Sequence, residues 1–81
     1  MKPKDKKRLQ KFRENLLRLR TERGLSQRGL ASLCDVGAGK ISNLEADEDT
    51  NLTLTTLFEL AKGLEVHPKE LIDYEFDFLR K

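Results

Sequence analysis

An all-α chain of five helices is what this sequence predicts, and three observations predict it. Apolar residues recur at steps of three and four through most of the 81 residues. The helical stretches are bounded by residues suited to helix ends, and no sustained period-two alternation occurs before Tyr74. The expected organisation is one compact domain: a flexible basic arm over residues 1–7, the five helices over 8–73, and an aromatic and acidic tail over 74–81.

The arm has no apolar residue after Met1 and contains Pro3. From Arg8 the pattern turns helical, with Leu9, Phe12, Leu16 and Leu19 sharing one face, and Arg23-Gly24 closing the helix where positive φ is tolerated. Ser26 is suited to cap a second helix that begins at Gln27 and faces Leu30, Ala31 and Cys34 inward. Asp35 to Gly37 breaks the pattern, with Asp35 expected at positive φ in a tight turn. A third helix follows with Ile41 and Leu44 inward and Lys40, Ser42 and Asn43 outward. Asp47 to Asn51 is a polar loop. Thr53 caps a fourth helix carrying Leu54, Leu57, Phe58, Ala61 and Leu64, and Pro68 fits the first position of a fifth with Leu71 and Ile72. Beyond it Tyr74-Glu75-Phe76-Asp77-Phe78 alternates aromatic and acidic, a strand-like signal. These aromatic residues either fold back on the domain or form an interface, and an interface is the expected use.

Composition narrows the function. No apolar run approaches the roughly 18 residues that span a membrane, so the chain is expected in the cytoplasm. One cysteine, Cys34, allows neither an intrachain disulfide nor a cysteine-rich zinc site, and its spacing from Leu30 places it in the core. One histidine, His67, has no companion ligands, and no motif groups a carboxylate with a nucleophile. Neither enzyme nor metal or cofactor site is expected. Residues 1–24 carry ten Lys/Arg against three Asp/Glu, whereas residues 45–81 carry four against ten. A basic first half points to an anionic partner, nucleic acid being the usual one.

Between Gln27 and Leu44 the spacing is that of a helix-turn-helix, with Leu30, Cys34, Val36, Ile41 and Leu44 apolar where two crossed helices meet and Ala31 small enough for close approach. Four motifs carry a wider resemblance: Phe12-x-x-Asn15-Leu16-x-x-Leu19-Arg20, Gly24-Leu25-Ser26-Gln27-x-x-Leu30-Ala31, Ile41-Ser42-x-Leu44-Glu45, and Leu57-x-x-Leu60-Ala61-x-x-Leu64-x-Val66. Over Phe12 to Leu71 the chain resembles the lambda-repressor-like family of transcription regulators, also called the xenobiotic-response-element (XRE) family. The resemblance implies a five-helix bundle, with the helix-turn-helix made by helices 2 and 3, that binds double-stranded DNA as a homodimer through helix 3 in the major groove.

By position, the resemblance implies base contacts from Gln27, Ala38, Gly39, Lys40 and Asn43, with Gln27 also touching a phosphate and orienting a neighbour. Lys40 can donate to guanine O6/N7, and Asn43 can pair bidentately with adenine. Phosphate contacts are expected from Ser26, Arg28, Ser42, Asn51 and Thr53. Arg20 and Glu45 match a structural salt bridge. Two departures shift these weights. Gly37-Ala38-Gly39 leaves few side chains to read bases and puts more on Lys40 and Asn43, and Asp47-Glu48-Asp49 would repel a duplex. The expected function is a repressor on an inverted repeat. The alternative is an antitoxin-like or adaptor module docking a protein through the aromatic tail.

Overall fold

The computed structural model describes residues 3–46, 51–76 and 78–79, with side chains from Lys6 onward. Its helices are α1 (Pro3–Glu22), α2 (Gln27–Ala31), α3 (Ala38–Glu45), α4 (Leu54–Leu64) and α5 (Lys69–Ile72). One core joins them, with Phe12, Leu16, Leu30, Ile41, Leu44, Leu60, Leu64 and Leu71 fully buried. No described helix is long and apolar enough to cross a membrane.

α1 starts five residues before Arg8, so the arm expected over residues 1–7 is helical from Pro3. Proline's fixed φ and missing N–H suit a first helical position, and lysines are good helix formers. The chain after α5 returns to α1 at Arg8 and Lys11. The Tyr74 hydroxyl donates to the Arg8 carbonyl at 2.9 Å, and Lys11 Nζ donates to the Glu75 carbonyl at 3.0 Å. The Lys11 ammonium lies 5.9 Å from the Tyr74 ring centroid and the Arg8 guanidinium 5.0 Å from that of Phe78. Of the two uses open to the tail aromatics, Tyr74 takes the fold-back. Its described residues form no strand, and Asp77 lies outside them. Phe76 stacks between Tyr74 and Phe78 at 4.7 and 5.2 Å, which leaves Phe78 exposed.

At the other end of α1, Gly24 takes φ 68° and Leu25 N donates to the Arg20 carbonyl at 3.1 Å, a left-handed helix stop. Ser26 Oγ accepts from Gly29 N at 2.9 Å, the cap expected for α2. Gly29 fits this cap, since a Cβ there would stand 3.2 Å from the same hydroxyl. α2 is short, and Cys34 falls in the turn after it with its thiol donating to the Leu30 carbonyl at 3.3 Å. Asp35 does not take positive φ; among the described residues only Gly24 and Glu65 do. The turn is held differently, by Leu33 N on the Leu30 carbonyl (2.9 Å) and by Glu59 of α4, whose Oε1 accepts from Asp35 N at 2.8 Å. With that N–H satisfied from outside, no left-handed residue is needed.

α4 also departs from expectation. Leu57, Leu60, Ala61, Gly63 and Leu64 are buried, but Leu54 and Phe58, which share the helical spacing read from the sequence, are 69% and 54% exposed. At Gly63 α2 comes so close that a Cβ would lie 2.8 Å from Leu30 Cδ1 and 3.2 Å from Cys34 Cβ. That approach turns the buried arc of α4 toward Gly63 and away from Phe58, five positions earlier. Glu65 ends α4 in the left-handed conformation (φ 58°), with Val66 N on the Ala61 carbonyl at 3.0 Å. His67 Nδ1 accepts from Lys69 N at 3.0 Å and so steadies the start of α5, a structural use for the lone histidine.

Candidate nucleic-acid interface

The site is assembled on Glu45, the last residue of α3. Arg20 Nε and Nη2 donate to its two oxygens at 2.7 and 2.8 Å, while Arg20 Nη1 donates to the Leu25 carbonyl at 2.8 Å. The fork of the guanidinium matches the carboxylate in two parallel bonds, and both side chains are largely buried, 14% and 6% exposed. Glu45 raises the Arg20 pKa further above its ordinary value, chiefly through this hydrogen bond. Gln27, the first residue of α2, joins the same carboxylate, with Nε2 donating to Oε1 at 3.0 Å. One carboxylate therefore ties together the end of α1, the start of α2 and the end of α3. The link to Gln27 was not legible in the sequence, because no local pattern records it and the family resemblance pairs Glu45 with Arg20.

Along α3, Gly39, Lys40 and Asn43 are exposed, with Lys40 and Asn43 three positions apart and hence on one side. Ala38 and Ser42 are half-buried, so Ser42 is less outward than expected. Lys40 Nζ reaches the Asn51 carbonyl at 3.4 Å across solvent-exposed ground, bringing the loop before α4 beside the exposed side of α3. Arg28 is exposed on α2. The hydroxyls of Ser26 and Thr53 are each engaged as caps, Thr53 Oγ1 accepting from Thr56 N at 3.2 Å and bonding Thr56 Oγ1 at 3.0 Å. Ser26 keeps its O–H to donate; Thr53 offers chiefly the backbone N–H groups of the α4 start. The acidic stretch Asp47 to Asp49 lies outside the described residues.

Sequence reading also missed Arg13, only 5% exposed on α1 and lining a cleft with Gln10, Glu14, Leu17 and Glu45. No apolar periodicity marks a buried arginine. Cys34 is core-facing as expected, and burial raises its thiol pKa, which keeps it protonated and poorly nucleophilic.

The helix-turn-helix family HTH_3 matches residues 16–71, which span α2 to α4, the C-terminal third of α1 and most of α5. No curated protein matches the chain in sequence. Among solved structures, the chain is similar to the restriction-modification controller protein C.AhdI from Aeromonas hydrophila, with 36% identity and a TM-score of 0.73. That similarity covers 78% of this chain and 94% of the other. With its α2–turn–α3 unit, its five-helix frame and its Arg20–Glu45 pair in place, the chain belongs to the helix-turn-helix family HTH_3, DNA-binding transcription regulators of the XRE or lambda-repressor-like type.

Proposed function

We propose that the protein is a sequence-specific repressor working in the cytoplasm as a homodimer, each copy placing α3 in the major groove at one half of an inverted repeat. The observation that carries this reading is the exposed pair Lys40 and Asn43 on one side of α3, with Gln27 held next to α3 by Glu45. Lys40 reads guanine and Asn43 adenine; Gly39 and Ala38, lacking long side chains, let the α3 backbone come close to the duplex. Ser26, Arg28, Ser42, Asn51 and the N–H groups behind Thr53 take phosphates, assisted by the lysines and arginines of α1. Similarity to a controller protein supports a regulatory role of that kind.

The competing reading, an antitoxin-like or adaptor module docking through the tail, loses support because Tyr74 is already engaged on α1. Selection of bound duplexes from a random library, followed by titration at two salt concentrations, tests the proposal. The expected result is an inverted repeat with half-sites about 10 bp apart and an affinity that falls steeply with salt as counterions are released. Absence of any enriched sequence would overturn it.

A further inference from the structure

Gln27 stands in one orientation only. Its neighbour Glu45 offers acceptors and no donor toward it, so the amide NH2 must be the group that faces Glu45 at 3.0 Å. The usual ambiguity between amide oxygen and nitrogen is thereby removed. Glu45 cannot turn away to release it, because the same Oε1 also accepts from Arg20 Nη2 at 2.8 Å and Oε2 accepts from Arg20 Nε at 2.7 Å. The Gln27 carbonyl oxygen consequently points away from the carboxylate, and no described residue donates a hydrogen bond to it. Ser26 and Arg28, on either side of Gln27, are exposed.

A carbonyl oxygen accepts and does not donate, so it is a poor match for a phosphate. The donors that a major groove presents are the exocyclic amines, N6 of adenine and N4 of cytosine. We propose that Glu45, besides pairing with Arg20, is a positioning residue for base readout: it fixes the Gln27 carboxamide with its carbonyl oxygen outward, so that Gln27 reads the exocyclic amine of an adenine or cytosine. The second amide proton stays available to adenine N7 or to a phosphate. This inference rests on the proposed docking of α3 in the major groove.

Its test uses the duplex recovered by selection with the full chain. Gln27→Ala identifies the base pair that depends on Gln27, as the position whose preference disappears. At that pair, adenine is replaced by purine, or cytosine by 2-pyrimidinone, each lacking only the exocyclic amine. The expected result is a loss of about tenfold in affinity for the unaltered protein and under about twofold for Gln27→Ala. Glu45→Ala removes both acceptor oxygens, so nothing holds the Gln27 NH2 and the carboxamide can present either end. That variant, shown by its melt to be folded at the titration temperature, should be less sensitive to the missing amine than the unaltered protein. If it does not fold, the comparison between the unaltered protein and Gln27→Ala still decides the orientation of the carboxamide. Equal sensitivity of those two proteins would overturn the inference while leaving the repressor reading intact. A Gln27→Ala selection with every preference retained would do the same, whereas no enriched duplex at all would remove both.

Discussion

Arg20 and Glu45, twenty-five positions apart in the chain, meet through two hydrogen bonds of 2.7 and 2.8 Å in a largely buried pair. Removing one partner strands the other in the interior. Arg20→Ala is therefore expected to lower stability by about 3–5 kcal/mol, a large share of what so small a domain has. A thermal or urea melt measures it, and an unchanged midpoint would refute the structural role given to this pair.

Lys40 and Asn43 are exposed, so truncating them should leave the melt nearly where it is. Lys40→Ala and Asn43→Ala are each expected to reduce discrimination at one base pair by about 1–3 kcal/mol. Titration against single-base variants of the selected duplex checks this. Unaltered specificity in both would show that the exposed side of α3 is not the reading surface.

The glycines on α4 and α3 should respond in opposite directions. Gly63→Ala places a methyl 2.8 Å from buried Leu30 Cδ1 and 3.2 Å from Cys34 Cβ. Overpacking there is expected to cost about 1–3 kcal/mol. Nothing lies within 4 Å of a Cβ at Gly39, so Gly39→Ala should gain up to about 1 kcal/mol from helix propensity alone. Parallel urea melts of the two variants decide the matter.

Glu59 gives the turn after α2 a dependence on pH. Its carboxyl is held below the ordinary 4.5, first by the hydrogen bond from Asp35 N and then by Lys62. A carboxyl with a depressed folded pKa stabilises the fold above its unfolded pKa, and the contribution disappears as pH falls through the folded value. Glu59→Gln should accordingly melt below the unaltered protein at pH 6, with the gap closing as pH drops below about 4.5. The effect is small because Glu59 reaches its partners across exposed ground. A gap that widens toward acid would contradict the assignment.

The sequence by itself determined the helices and the unit they form. The steps of Phe12, Leu16 and Leu19, of Ile41 and Leu44, and of Leu57, Leu60, Ala61 and Leu64 encode buried helix faces, while Ser26, Thr53, Gly24 and Pro68 encode their ends. Those signals are local, set by periodicity and by which side chain can satisfy or forgo a terminal N–H. What needed the tertiary structure were relationships between elements. Phe58 keeps helical spacing yet stays exposed, because α4 packs against α2 on the side of Gly63, and Leu54 stays exposed at the first position of α4. Asp35 avoids the left-handed conformation because Glu59, twenty-four positions on, supplies its hydrogen bond. Tyr74 is docked on α1 at Arg8, and Gln27 is oriented by Glu45, through contacts that no local pattern records. Short-range periodicity fixes which face a helix can bury; only the packing of the whole chain decides which neighbour arrives there and which polar groups it satisfies.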